Sequence, residues 1–216
     1  MPRRARLLLP GMPLHIVQRG HNRQPCFHTE SDYLVYLERL REHTCKSGCS
    51  VHAYVLMTNH VHILASFADI TAAPRMVRLL GQQYGLYLNR RLGRTGTTWE
   101  GRYWSCPVPT EHYLLNCQRY IEANPIRAGM ADRLDQYRWS SYRGNAGLVD
   151  DSLLDKHDLY LQLGRTDQDR QLHYRQLSAC NLSDFELNNI REALKEASVA
   201  GLPRRRPGRP RKSEAQ

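Results

Sequence analysis

Nowhere in this sequence do about eighteen apolar residues follow one another, so it offers no helix able to span a bilayer. No basic amphipathic helix dominates either, which leaves a membrane surface without an anchor. The N-terminus opens on cations, but only Leu7, Leu8 and Leu9 precede Pro10, too short an apolar stretch for a secretory signal. Export is therefore not expected, and the chain reads as a soluble, cytoplasmic protein. Cysteine is scattered rather than patterned. Cys26, Cys45, Cys49, Cys106, Cys117 and Cys180 contain no second closely spaced pair, so no disulfide framework is indicated and reduced thiols are expected. Cys45 and Cys49, with His43 and His52 nearby, suggest a zinc knot only loosely, because their spacing matches no common structural motif. Acidic side chains are the remaining shortage. Asp and Glu number 21 against 31 Lys and Arg, a formal net charge of +10. Such a balance points to an anionic polymer as partner, nucleic acid first, rather than to a small-molecule substrate.

With 216 residues the chain can bury a proper core, and its length suits one main domain with a modest appendage. Leu14-His-Ile-Val-Gln-Arg-Gly20 reads as a strand that ends in a polar loop, His21-Asn-Arg-Gln-Pro25. Ser31 offers a cap for a helix over residues 32–46, where Tyr33, Tyr36, Leu37 and Leu40 recur at helical spacing before Gly48. Residues 51–57 and 61–67 form a hairpin across Thr58-Asn59-His60. A second helix spans 72–92, an extended piece lies near 103–108, and a third helix runs from about Glu111 to Asn124, where Pro125 ends it. The order β-α-β-β-α-β-α predicts an α+β fold, a ferredoxin-like antiparallel sheet with packed helices, over residues 10–140. Loop-like residues 140–151 and two capped helices, over 167–177 and 184–197, make a helical appendage spanning 141–200. Residues 201–216 carry a run of cations and prolines that cannot pack a core, and they read as a disordered basic tail.

His60-Val61-His62 puts two imidazoles on one face of a strand, because side chains alternate with period two. That arrangement can hold a metal, and it can equally be two polar residues at the end of a half-solvated strand. Tyr120 and Asn124 lie four apart on the third helix and share a face, offering a hydroxyl and an amide oxygen. A phenol, a cation and a basic surface together suit phosphodiester transfer, in which tyrosinate attacks phosphorus and a metal neutralises the oxygens. Tyr120 alone could equally be an ordinary packing residue.

The segment Asn59-His-Val-His-Ile-Leu64 followed by Arg119-Tyr-Ile-Glu-Ala-Asn-Pro-Ile-Arg-Ala-Gly129 resembles the paired motif of the REP-associated tyrosine transposases, relatives of the single-tyrosine HUH transposases of small bacterial insertion sequences. Gly20-His-Asn-Arg23, the stretch from Gly96 through Trp99 to Tyr103, the Trp139-Ser-Ser-Tyr142 corner and the terminal Gly208-Arg-Pro-Arg-Lys212 are also similar to that family. The resemblance implies His60 and His62 as metal ligands, Asn124 as an amide-type third ligand and Tyr120 as the nucleophile. It implies Mg²⁺ or Mn²⁺, although two imidazoles would by coordination chemistry favour Mn²⁺ or Zn²⁺ over Mg²⁺. It further implies cleavage of single-stranded DNA at REP-type hairpins, leaving a 5′-phosphotyrosine and a free 3′-OH. Family likeness puts Arg19, Asn22 and Arg23 near the guide sequence at the hairpin foot, with Trp99 and Arg102 also near DNA. Bases left unpaired are read by hydrogen bonds on their edges and by stacking. The tail, with Arg209 at its centre, is similar to an AT-hook, though plain phosphate attraction serves as well. A nucleoid-associated monomer is the expected form. Two other functions stay open: a catalytically idle DNA-binding regulator, and a metal-dependent phosphodiester hydrolase without a covalent intermediate.

Overall fold

In the computed structural model, which describes residues 10–69, 71–109 and 111–201, the β-rich runs become four strands. These are β1 (Leu14–Arg19), β2 (Cys49–Met57), β3 (His60–Phe67) and β4 (Trp104–Pro107). They pair antiparallel throughout, in the order β2-β3-β1-β4. Helix α1 (Glu30–Ser47) connects β1 to β2, and α2 (Ala72–Leu92) connects β3 to β4. This is the expected ferredoxin-like α+β sheet. Helix α3 (Glu111–Glu122) and a single turn, α4 (Asn124–Arg127), follow β4. Beyond them lie α5 (Tyr142–Asn145), α6 (Asp158–Leu161), α7 (Asp167–Ala179) and α8 (Asp184–Gly201). Among the described residues no helix is long and apolar enough to cross a membrane.

Register decides which side chains share a face of the sheet. Leu14, Ile16 and Gln18 stand opposite Ala65, Ile63 and Val61, whereas His15, Val17 and Arg19 stand opposite Leu64, His62 and His60. Residues directly opposite in an antiparallel pair project to the same side. The first set lies under α1 and α2. There a Cβ on Gly81 of α2 would sit 2.9 Å from Gln18 Nε2, so any side chain at this position would have to displace the Gln18 amide. Tyr36, Tyr84, Phe27 and Trp99 fill the space between those helices and the sheet, ring against ring. The second set faces α3, and α8 lies against β4. With both faces covered, β1 and β3 are buried along nearly their whole length.

Helix α1 starts before the Ser31 that its sequence suggests. Thr29 is the N-cap because Asp32, three residues on, completes a capping box. The Asp32 carboxylate accepts the His28 and Thr29 backbone N–H groups at 2.8 and 2.9 Å and pairs with Arg91 at 2.7 Å. Burial alone would raise its pKa. Those N–H groups, the Tyr87 hydroxyl and Arg91 outweigh burial and hold it below the usual carboxylate value.

The outer edge of β2 is not left open. Leu56 N–H donates to the Trp139 carbonyl, Ser141 N–H donates to the Tyr54 carbonyl, and Asp155 N–H donates to the Val51 carbonyl, at 2.8–2.9 Å. The stretch from Trp139 to Asp155, which contains the residues read as loop-like, 140–151, thus covers an edge that would otherwise recruit other chains. Behind it Glu122 of α3 is fully buried and accepts from Ser141 Oγ (2.6 Å), Asn145 Nδ2 (2.8 Å) and Tyr174 Oη (2.6 Å). Burial raises its pKa against the pull of those donors. One carboxylate therefore fastens α5 and α7 to the helix that carries Tyr120. Tyr174→Phe should cost about 1–3 kcal/mol, because a buried carboxylate loses a donor. Urea denaturation will read this as a lower midpoint at unchanged slope, and an unmoved midpoint would count against the linkage.

Candidate catalytic and metal site

The second sheet face carries the chemistry. His60 and His62 lie on β3 with ring centroids 5.0 Å apart. His60 Nδ1 is 2.7 Å from Asn59 Oδ1. An amide oxygen only accepts, so His60 carries its proton on Nδ1 and keeps the Nε2 lone pair for a cation. Nδ1 of His62 lies 2.8 Å from Nε2 of a third histidine, His15 of β1. Burial holds His15 down to about 3, and burial together with the Arg19 charge holds His60 to about 4. His62 is pushed well below its ordinary value by burial, then by the neighbouring histidines, Arg127 and Arg19. All three are neutral at physiological pH, the form in which imidazole binds metal.

Among the described residues no group of three His, Cys, Asp or Glu side chains is arranged to hold a metal ion. His15 is spent on His62, so oxygen donors of other kinds would have to complete a cation site. Asn124 is the candidate for one. Its Nδ2 donates to the carbonyls of Tyr120 and Ile121, both at 3.2 Å, which leaves Oδ1 as an acceptor. By donor type the candidates suit a divalent cation: two neutral imidazoles and an amide oxygen.

Tyr120 is 8% exposed and stands edge-on to His15 and His62, ring centroids 6.1 and 6.4 Å away. Arg127 of α4 places its guanidinium 4.3 Å above the Tyr120 ring and also donates to the Tyr120 carbonyl. The chain bends between α3 and α4 at Ala123, two residues before Pro125. Helix α3 therefore closes earlier than the predicted Asn124, and Asn124 opens the next turn. That bend is what brings Arg127 back over the tyrosine. Sequence reasoning missed both His15 and Arg127. The strand period does place His15 on the His62 face, and Arg127 stands within the quoted motif.

Arg19 sits beside His60 in the register, with its guanidinium 4.8 Å from the Trp104 ring centre. Half-buried Trp104 is thus the indole on the histidine face. Trp99 is placed elsewhere. It is buried, its indole N–H donates to the Gly81 carbonyl at 3.0 Å, and its ring packs between Tyr36 and Tyr84. Trp99, expected near DNA, is thus a buried ring that lines the same groove beside α2 as Arg102. Trp99 precedes β4, so strand period could not assign it a side.

Asn22 and Arg23 are exposed and both adopt left-handed backbone, φ 51° and 57°. That conformation is uncommon for residues other than glycine, though asparagine adopts it more readily than most. Asn59 Nδ2 donates to the Arg23 carbonyl at 2.9 Å, which ties the loop to the turn bearing His60. Exposed Arg102 lines an open groove of about 990 Å³ beside α2, with Arg78, Gln82 and Asn89. Arg209 lies outside the described residues, as does the predicted tail beyond Gly201, which ends α8.

Residues 9–124 match the family model described as transposase IS200 like. Among solved structures, the chain is similar to a REP-associated tyrosine transposase bound to a REP hairpin. The TM-score is 0.59 at 15% identity, covering 73% of this chain and 99% of that one. It is also similar, at TM-score 0.40 and 20% identity, to a Deinococcus radiodurans protein described as a candidate transposase, covering 56% of this chain and 96% of that one. No curated protein matches. The family match takes in more than half of the chain, including the β3 histidines, Tyr120 and Asn124, and the chain belongs to the IS200-like transposase family.

Proposed function

We propose that this DNA transposase nicks and rejoins single-stranded DNA at REP-type hairpins through a 5′-phosphotyrosine on Tyr120. The observation that carries this is the convergence of Tyr120, His62 and His60 on one sheet face, within the segment that matches the family. REP hairpins are the substrate chosen because the chain shares its fold with a protein described as bound to one.

The Tyr120 oxygen bonds to phosphorus, the bond from phosphorus to the 3′ oxygen breaks, and the phenolic proton leaves to solvent while the 3′ oxygen gains one. Rejoining reverses the step with an incoming 3′-OH. Arg127 lies where it can attract the phosphate and orient the phenol, and Arg19 guards the approach beside His60. His60, His62 and Asn124 would hold Mg²⁺ or Mn²⁺, which when bound supplies charge neutralisation at the phosphate oxygens. Asn22 and Arg23 present donors to unpaired bases from a loop whose shape is already fixed, so little ordering is needed on binding.

The test is incubation with single-stranded REP-like hairpins from the source genome and Mn²⁺, followed by denaturing electrophoresis. A slow band of protein linked to DNA is expected. Cleavage without that band would favour a hydrolase, and binding without cleavage would favour an idle regulator. Asn124→Ala should raise the Mn²⁺ concentration needed for half-maximal cutting and recover at high Mn²⁺, because a neutral amide is a weaker ligand than imidazole. A defect that no amount of Mn²⁺ relieves would make Asn124 structural.

Removing residues 203–216, rich in Arg and Pro, should flatten the fall of affinity with salt, by about 0.7 to 0.9 for each phosphate that the tail neutralises. Hairpin preference should stay, since cations on phosphates carry no base information. Loss of discrimination between A·T-rich and G·C-rich flanks at fixed salt would instead make the tail a minor-groove reader.

A further inference from the structure

Three imidazoles meet on the sheet face, and a cation held by His60 and His62 uses only two. His15 is fully buried on β1, in the interior row it shares with Val17. One of its nitrogens, Nε2, lies 2.8 Å from His62 Nδ1, and the other, Nδ1, finds no partner in the protein. A buried polar atom left unpaired is unfavourable, and an apolar residue of similar size would avoid it. His15 stands where packing alone would be served by a residue like its neighbour Val17.

What His15 provides is visible by comparison with His60. Asn59 Oδ1 accepts from His60 Nδ1 and so leaves Nε2 of that ring as the lone pair. His62 needs an equivalent acceptor, and among the described residues His15 Nε2 alone bonds its ring. We infer that His15 is a positioning residue: its Nε2 accepts the His62 Nδ1 proton, which fixes the tautomer and plane of His62 so that Nε2 of His62 faces the cation site. The opposite arrangement, with His15 donating, would put a proton on His62 Nε2 and remove it as a ligand. Ligating histidines are commonly held this way by an acceptor on the far nitrogen. A histidine as that acceptor leaves its own Nδ1–H unpaired, which accounts for the orphan. His15 also stands edge-on to Tyr120 at 6.1 Å, so the same ring backs both the ligand and the phenol.

The inference rests on the metal-dependent function proposed above, and its test keeps the two apart. Mn²⁺ affinity of the full chain is measured by calorimetry, and the visible spectrum of the Co²⁺-loaded protein reports the ligand field. His15→Leu fills the space without an acceptor, while His15→Gln places an amide oxygen near the position of Nε2. His15→Leu should weaken Mn²⁺ about 10- to 100-fold and change the Co²⁺ spectrum. His15→Gln should restore most of both. Thermal melts without metal should show folded His15→Leu close to wild type in stability, since one unpaired buried nitrogen, His15 Nδ1, is exchanged for another, His62 Nδ1. Should His15→Leu not fold, His15→Met takes its place, because a thioether adapts to an irregular space. Wild-type Mn²⁺ affinity in the folded apolar variant, or equal loss in His15→Gln, would overturn the positioning role and leave the metal site standing. A wild-type protein that binds no Mn²⁺, or binds it as well after His62→Ala, would overturn the metal site and the role of His15 with it.

Discussion

Tyr120→Phe is expected to abolish the covalent attachment of protein to DNA and to reduce strand cutting to background, while hairpin affinity stays close to wild type. Only one oxygen is removed. The ring keeps its edge-on contacts to His15 and His62 and stays beneath Arg127. Among the described residues the Tyr120 hydroxyl makes no hydrogen bond, so stability should change by less than about 1 kcal/mol. Denaturing gels with end-labelled hairpin read the adduct, and a native gel reads affinity. An adduct that survives in Tyr120→Phe would transfer the nucleophile's role to another residue.

Loss of either β3 histidine has the next largest expected effect. His60→Ala and His62→Ala should each bring cutting to background, and excess chelator should do the same to the wild-type protein. The two variants should differ in stability. His62 is buried and bonded to His15, so its removal strands a second imidazole and should cost about 1–3 kcal/mol. His60 is only half-buried and leaves behind Asn59, which still holds Arg23, so its removal should cost less. Calorimetric melts beside cleavage rates will separate the two effects. Undiminished cutting in excess chelator would contradict a metal mechanism outright.

Much of this site is legible in the sequence because its parts obey short periods. His60 and His62 share a face by the strand period of two, whereas Tyr120 and Asn124, four apart in sequence, stand on either side of the bend at Ala123, where Asn124 Nδ2 donates to the Tyr120 carbonyl. The hairpin, α2 and the succession of elements along the chain follow from local runs of apolar residues and the turns between them. What escaped depends on distant partners. His15 acquires its meaning only when β1 pairs with β3 and places it beside His62, 47 residues on. Arg127 reaches Tyr120 because Ala123 bends the chain, and a motif shows only that the residue is present. Trp99 and Trp104 look alike in composition, yet β4 begins at Trp104, which turns that ring to the histidine face and leaves Trp99 in the core. The 140–151 stretch reads as loop because it lacks periodicity, and its task, covering the β2 edge, is set by a strand nearly a hundred residues earlier. Ser31 is the visible cap for α1, but Thr29 with Asp32 wins because the carboxylate can also be neutralised by Arg91 from α2.

The most direct measurement is the mass of the DNA-linked peptide. Trypsin cuts after Arg119 and again after Arg127, releasing Tyr120-Ile-Glu-Ala-Asn-Pro-Ile-Arg127, a peptide with a single tyrosine. After reaction with a single-stranded hairpin and Mn²⁺, then nuclease trimming, that peptide should carry one 5′-linked nucleotide on Tyr120. A nucleotide on any other tyrosine, or cleaved DNA with every tyrosine peptide unmodified, would contradict a Tyr120 phosphotyrosine intermediate.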